Sequence, residues 1–403
     1  MAILPQAKGG ERQTIVVVGA GIGGLTAALA LAAANFRVII VERTDHLSEA
    51  GAGIQIGPNA GRVLADLGVA TKVAAAAIEP EAIEIRSGAN GRTLASIPGS
   101  AFRARYGVPY HVIHRADLQR ILAAAAEASP HITLELGATI ATTLPQTDGL
   151  LVRIQKAAGI DVVPAAAIVA ADGVWSTYRA KIPGSAKTVP TGRTAWRALV
   201  ATDAVRNLIS LTRVGLWLGR EAHLVHYPVA QGAAVNIVAI VDEVWDRPGW
   251  SGVGDRAEIM RRFQNWPPRA RHLLAAPVSW QKFAIHRVDP NAPWTDGRLA
   301  LLGDAAHAMA PYLAQGAAMA MEDAATLAAM LRGASDIPAA LRAYESVRKP
   351  RVARVAKAAD LTGRAYHFGG VFALARDTAL RYAAERFVLE QNDWIYRWQV
   401  SDG

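Results

Sequence analysis

Three glycines, Gly19, Gly21 and Gly24, follow directly on the β-branched run Thr14–Val18 in a G-x-G-x-x-G spacing. In that pattern the first glycine permits a tight turn, the second lets the backbone approach a pyrophosphate, and the third lets a helix pack closely on a strand. The following helix, Leu25–Ala34, would then point its unpaired N–H groups and positive dipole end at the phosphates. Glu42 lies 18 residues beyond Gly24, at the end of a second apolar run, and suits a pair of ribose hydroxyls. A glycine-rich packing turn explains the glycines but not Glu42, so the segment reads as a dinucleotide site.

A second constellation lies in His223-Leu-Val-His-Tyr-Pro-Val229. On a strand, side chains alternate between faces, so His223, Val225 and Tyr227 share one face and Leu224 and His226 take the other. An imidazole and a phenol on one face make this strand the best place to look for substrate chemistry. A buried, hydrogen-bonded His–Tyr pair with no chemical role is the alternative reading. Arg197, Arg213 and Arg287 could each hold a carboxylate, and their spacing selects none of them. Tyr312 could reach a substrate from the loop side. No His/Asp/Glu grouping suggests a metal site, and the Gly-x-Ser-x-Gly pattern of a serine nucleophile is absent.

These residues need elements to hold them. Thr14–Val18, a helix and Arg37–Val41 form a strand–turn–helix–strand unit, the context the glycine fingerprint requires. Arg115–Ala128 reads as an amphipathic helix, and Ile132–Leu136 and Val162–Ala170 as further strands. From about residue 193 to 285 the pattern changes to alternating, tryptophan-rich strands (Thr194–Val200, Val214–Leu218, His223–Val229, Ala234–Val241), expected to form an inserted antiparallel sheet. Trp196 and Trp217 in this region are expected in the core. Gly252-Val-Gly254 has no preceding strand and reads as a turn. Arg298–Leu302 returns to a buried strand, a helix is expected from about Gln315 to Leu331, and the tail Ile337–Ala384 reads as mostly helical.

At 403 residues the chain is long enough for two domains. With no cysteine, disulfides, iron–sulfur clusters, cysteinyl zinc and a redox dithiol are excluded. The net charge of +9 rests on arginines scattered along the chain, with only short clusters such as Arg348-Lys-Pro-Arg351. That scatter argues against nucleic acid and fits an anionic cofactor and an anionic substrate. Thr14–Phe36 is uncharged over 23 residues, the length of a membrane span, but its four glycines divide it into strand and helix. No membrane association is expected, and a cytoplasmic location is.

Several segments together resemble the single-component, FAD-dependent aromatic hydroxylases, the group that includes 4-hydroxybenzoate, salicylate, 3-hydroxybenzoate and 6-hydroxynicotinate hydroxylases. They are Gly19–Gly24 with Glu42-Arg43, Gly51-Ala-Gly-Ile-Gln-Ile-Gly-Pro-Asn59, His114-Arg-Ala-Asp-Leu118, Ala171-Asp-Gly-Val-Trp-Ser-Thr-Tyr-Arg179 and Gly303-Asp-Ala-Ala-His307. Ala314-Gln-Gly-Ala317, Glu322-Asp-Ala324 and Trp394-Ile-Tyr396 complete a resemblance that runs nearly end to end. The motifs are specific for the family and say little about the substrate. One departure is Ala308, where the family usually has proline after the histidine of the Gly-Asp motif.

The resemblance implies an α/β fold of the 4-hydroxybenzoate hydroxylase type. A Rossmann-like FAD-binding domain (1–75, 111–183 and 286–345) would carry an inserted substrate domain (76–110 and 184–285) and a helical C-terminal segment (346–403). It implies one non-covalent FAD per chain. Gly19, Gly21 and Gly24 would serve the pyrophosphate, Glu42 the adenosine ribose, Arg43 and Arg115 the adenosine or phosphate region, and Asp304 the ribityl chain. Gly53 would contact the cofactor, and the loop Pro311–Ala317, with Gly316 and Ala317, would pass the isoalloxazine ring. Asp172, with Arg179 nearby, would take part in FAD or NAD(P)H handling. The helix near Gln315 would aim its dipole at reduced flavin. In the hydroxybenzoate 6-hydroxylase and hydroxynicotinate branches, a His and a Tyr four residues apart on the matching strand flank the substrate, which implies His223 as base toward a phenolic or hydroxypyridine proton and Tyr227 as the group that orients the same ring.

The activity so implied is hydroxylation of a monocyclic hydroxylated aromatic or N-heteroaromatic acid. NADH or NADPH would reduce the flavin, O2 would add to give a C4a-hydroperoxyflavin, and its distal oxygen would go to a ring carbon while the other leaves as water. With one dinucleotide fingerprint, the nicotinamide would bind transiently, and NADH is favoured by analogy with the His/Tyr branches. A homodimer is compatible with the family. A flavin reductase or halogenase of the same fold, or a flavin-binding protein without oxygenase activity, are the competing readings, though no Gly-Trp-x-Trp-x-Ile-Pro type segment of a halogenase is present.

Overall fold

The computed structural model describes residues 12–47, 53–383 and 389–400. Gly51 and Ala52 of the Gly51–Asn59 segment, and Ala384 at the end of the tail, lie outside the described residues.

The β-branched run Thr14–Val18 lies at the centre of a six-stranded sheet, between Ala167–Ala170 and Arg37–Val41. Ile132–Glu135 extends the sheet on one side, and Leu299–Leu301 with the two-residue strand Thr295–Asp296 on the other. All its pairings are parallel except the last, and parallel strands need both faces covered. The helices Ile22–Ala33, Arg115–Glu127 and Gly316–Leu331 supply that cover, with Leu25, Leu31, Leu118, Leu122 and Leu327 fully buried. Each such side chain contributes about 1.5–3 kcal/mol on burial. The uncharged stretch at Thr14–Phe36 is thus one short strand and a 12-residue helix. Among the described residues no helix is long and apolar enough to cross a membrane.

The second sheet has eight strands. Ser251–Gly254, Trp280–Val288, Thr188–Ala201, Ala234–Asp242, Ala222–Val229, Arg213–Gly219, Ala82–Ser87 and Thr93–Pro98 follow one another across it. It is antiparallel but for one junction, where Arg213–Gly219 runs parallel to Ala82–Ser87. One face packs on helices Arg256–Arg262 and Pro268–Ala275 around Trp196, Trp217, Trp280 and Phe263, so both tryptophans expected in the core are there. The other face looks toward the nucleotide-type sheet.

Two local expectations fail. Ser251–Gly254 is an edge strand rather than a turn, because Gly254 lets the backbone lie against Trp196, where a Cβ would come within 2.4 Å of the ring. The expected strand Val162–Ala170 is two strands in different sheets: Gly159–Ala165 belongs to a three-stranded meander with Thr139–Gln146 and Gly149–Lys156, and Ala167–Ala170 to the central sheet. One apolar run spans both because each half is buried.

The tail forms a 30-residue helix, Ile337–Tyr366, with Pro350 inside it, then Gly370–Tyr382. The positive cluster Arg348 and Arg351 turns inward. Arg348 donates to Glu322 at 2.8 Å and to Asp323 at 2.7 Å, and Arg351 donates to both oxygens of Glu322. Asp323 also meets His307 Nε2 at 2.5 Å, and Asn59 donates to Glu322 at 2.8 Å. Glu322, Asp323 and Arg348 are buried, so each charge depends on its partners.

Candidate active site

The two sheets enclose a cavity of about 340 Å³. Its floor is backbone: Gly21 to Gly23, Ala171, Gly173, Gly303, Gly316 and Ala317. Its far wall is the second sheet, with His223, Val225 and Tyr227 from one strand and Val238 and Ile240 from the next. Leu224 is in the core of the opposite face. His226 is there too, accepting from Trp217 Nε1 at 3.2 Å, its pKa pushed down to about 3 by burial and by Arg269 and Arg86. The two-residue alternation therefore sorts this strand as expected.

The three fingerprint glycines divide by role. Gly19 holds a φ of +100°, and a Cβ on it would lie 2.6 Å from the Ala171 carbonyl oxygen. A Cβ on Gly24 would lie 1.9 Å from the Gly19 carbonyl oxygen. Both are needed for the turn itself. Above Gly21 nothing lies within 4 Å, so this glycine keeps open a space that a ligand's phosphates can enter. Gly21 caps the helix Ile22–Ala33, and Gly316 opens the 16-residue helix Gly316–Leu331, so two helix N-termini meet the cavity. Glu42 ends its strand beside the turn, accepting from Ala20 N at 2.8 Å and from Thr44 N at 3.0 Å. Arg43 beside it is exposed.

Arg115, Asp304 and Gly53 line the cavity. Asp172 does not line it, although Gly173 does. One Asp172 oxygen accepts from Thr177 N at 2.9 Å and the other is buried with no hydrogen-bond partner. Arg179 is buried, donating to the carbonyls of Ala305 and Val174 and to the Thr188 hydroxyl. Ala308 adopts φ −46° and ψ 130°, near the geometry a proline would impose, and its carbonyl accepts from Val288 N at 2.9 Å.

Of the three candidate arginines the fold selects one. Arg197 lines the cavity, its guanidinium 5.4 Å from the Phe283 ring. Arg213 pairs with Glu84 in a separate pocket, and Arg287 with Asp360 at the surface. Tyr312, expected to reach the substrate from the loop side, lies in the turn Pro311–Leu313. It is absent from the cavity wall and packs behind His223, ring centroids 5.4 Å apart, with its hydroxyl accepting from Arg193 at 2.7 Å.

His223 is buried and its Nδ1 lies 2.8 Å from His367 Nε2. Burial first, then His367 and Arg193, hold its pKa well below the ordinary imidazole value. Burial raises the Tyr227 pKa, so this hydroxyl stays protonated. Gln55, also on the wall, accepts from Tyr110 at 2.5 Å. Spacing gave no sign of His367, Asp242 or Arg193, since His223 and His367 are 144 residues apart.

The sequence model of the family described as "FAD binding domain" matches residues 12–359. The chain belongs to that family. It is 35% identical to a 3-hydroxybenzoate 6-hydroxylase of Polaromonas naphthalenivorans over 392 residues, covering 96% of each chain. It is also 35% identical to a 3-amino-4-hydroxybenzoate 2-monooxygenase of Streptomyces platensis over 396 residues, covering 97% of each. A salicylate hydroxylase substrate complex superposes with a TM-score of 0.79 at 27% identity over 96% of both chains. The chain is thus an FAD-dependent aromatic-ring monooxygenase of the single-component type, with the fold of those hydroxylases.

The residues present fit FAD. The space above Gly21 and Gly316 and the two helix N-termini suit a pyrophosphate and a flavin ring whose charge rises on reduction.

Proposed function

We propose that the protein uses NADH or NADPH and O2 to hydroxylate a monocyclic hydroxybenzoate-type acid, ortho or para to its hydroxyl. The observation that carries this reading is that one cavity joins the Gly21 and Gly316 backbone to His223, Tyr227 and Arg197. FAD, when bound, takes hydride from the nicotinamide and activates O2. Glu42 and Arg43 would hold the adenosine end, Arg115 and the turn of Gly19, Gly21 and Gly24 the pyrophosphate region, and Asp304 the ribityl chain. Gly53, Gly316 and Ala317, which line the same cavity, would border the flavin, and Gly173 would adjoin it.

The remaining chemistry belongs to side chains. His223 and Tyr227 are four residues apart, about 13 Å along a strand, which leaves room for one aromatic ring between their tips. His223, neutral at working pH, accepts the phenolic proton, and Tyr227 donates a hydrogen bond to the same ring. Loss of that proton enriches the ring carbons ortho and para to the oxygen, the positions an electrophilic oxygen attacks. Arg197 pairs with the carboxylate. Val225, Val238 and Ile240 keep water away. The named substrates of the relatives favour a benzoate over a nicotinate.

The test is NADH consumption by FAD-loaded protein across a panel of hydroxylated benzoates and nicotinates, with products weighed by mass spectrometry. A compound that speeds oxidation and gains one oxygen supports the reading. Oxidation without any oxygenated product across the panel would sink it in favour of a flavin reductase.

A further inference from the structure

His223 does not end a chain of hydrogen bonds but begins one. Its Nδ1 meets His367 Nε2 at 2.8 Å, and His367 Nδ1 meets Asp242 Oδ1 at 2.7 Å. Arg193 Nε donates to the same Asp242 oxygen at 2.7 Å. The His367 side chain is 3% exposed and that of Asp242 38%. The series thus runs from the cavity wall, through buried imidazoles, to a carboxylate in contact with solvent.

The order of donors follows from the far end. A carboxylate only accepts, so His367 Nδ1 carries the proton toward Asp242. His367 Nε2 is then an acceptor, and His223 Nδ1 must donate to it. That leaves Nε2 of His223 as a lone pair, on a ring that lines the cavity.

We propose that His367 and Asp242 form a proton exit path behind His223, carrying the substrate's phenolic proton to solvent. This rests on the reading of His223 as the base. When Nε2 of His223 takes the phenolic proton, the Nδ1 proton passes to His367 Nε2. The proton on His367 Nδ1 passes to Asp242 Oδ1 and then to water. One proton enters, a different one leaves, and the substrate remains as phenolate. The path resets when the hydroxylated product takes a proton back from His223 Nε2 and water returns one through Asp242 and His367, which restores both starting tautomers.

A lone His223 would serve poorly. It is held neutral by burial and faces Arg193 from Thr188–Ala201, so it can pass a proton on more readily than store it. The other titratable groups around it are Tyr312 from the Pro311–Leu313 turn, Tyr366 and His367 at the end of the long helix, and Tyr227 along its own strand. A positive charge reaching His367 instead meets the Asp242 carboxylate and the carbonyl end of the helix Ile337–Tyr366. Burial opposes the ionisation of Asp242, but His367 and Arg193 hold its pKa below the ordinary value, so it stays charged. The backbone fixes the path, with Glu221 N donating to the His367 carbonyl at 3.1 Å and Asp242 N to that of Glu221 at 2.9 Å. His367 and Asp242 are therefore positioning residues, acting through His223.

His367→Gln separates relay from scaffold, because its carbonyl accepts from His223 and its amide donates to Asp242, yet it carries no proton onward. Asp242→Asn likewise still accepts from His367. Oxidised, FAD-loaded protein is mixed by stopped flow with 3-hydroxybenzoate in weakly buffered solution containing a pH indicator, and proton release is timed. FAD content and ligand Kd are measured in parallel. The expected result is wild-type Kd and FAD content in both variants, with release slowed at least about tenfold in His367→Gln and slowed in Asp242→Asn. Wild-type release in His367→Gln, with His223→Gln defective, overturns the relay and leaves the base. Wild-type release in His223→Gln, or none from the unmodified protein, overturns the base reading and the relay with it.

Discussion

Gly53 lies against Tyr227 so closely that a Cβ at position 53 would sit 2.3 Å from the ring. Its N–H donates to Asn236 Oδ1 at 2.9 Å, on the strand beside Tyr227. One residue thus docks the Gly53–Ile56 strand on the second sheet and sets the position of a cavity-wall phenol. Gly53→Ala is expected to cost about 1–3 kcal/mol through overpacking. It should also weaken binding of an aromatic acid, measured as a fall in urea midpoint and a rise in Kd. Unchanged values of both would show that Tyr227 can yield.

The fingerprint glycines should separate in experiment. Gly21→Val projects into open space above the helix N-terminus, so the protein should fold and fail to retain FAD. Gly24→Ala forces contact with the Gly19 carbonyl and should lower the yield of folded protein whether or not FAD is supplied. Circular dichroism and flavin content measure the two effects separately.

Arg197→Gln tests the carboxylate site. Loss of a charge-assisted pair should weaken a hydroxybenzoate by about 1.5–3 kcal/mol, while the corresponding phenol without a carboxylate should bind as before. Titration of flavin absorbance with each ligand reads the difference.

Arg348→Met leaves two buried carboxylates short of partners. The expected loss is about 3–5 kcal/mol, read as a lower urea midpoint at unchanged m. The helix Gly316–Leu331 carries those carboxylates, so flavin retention should fall as well.

The same network predicts acid sensitivity. Burial opposes the charge on Asp323, but His307 and Arg348 hold its folded pKa below the ordinary carboxylate value. Its stabilisation is therefore complete above the unfolded pKa of about 3.9 and is lost as pH falls through the lower folded value. Urea midpoints between pH 5 and 2 should drop steeply, and Asp323→Asn should flatten the slope while lowering stability at neutral pH.

Much of the site was readable along the chain because its parts are local. A glycine spacing after a β-branched run, an acid at the next strand end and a two-residue alternation each follow from chain geometry within a few dozen residues. Gly19, Gly21, Gly24, Glu42 and the shared face of His223 and Tyr227 all lie where these rules place them.

Other features depended on which distant segments meet. Three arginines were equivalent on the chain, and only the packing of the second sheet on the first puts Arg197 at the cavity while pairing Arg213 and Arg287 elsewhere. Tyr312 was within reach of the site in sequence, yet Arg193 holds its hydroxyl behind His223. His367 and Asp242 carried no signal at all, because the end of a 30-residue helix and the end of a strand have no fixed relation until both pack. The sequence by itself determined the dinucleotide turn and the strand face, where backbone geometry acts over short range. Tertiary structure alone decided which charges are buried together, because pairing and desolvation are set by contacts between residues far apart in the chain.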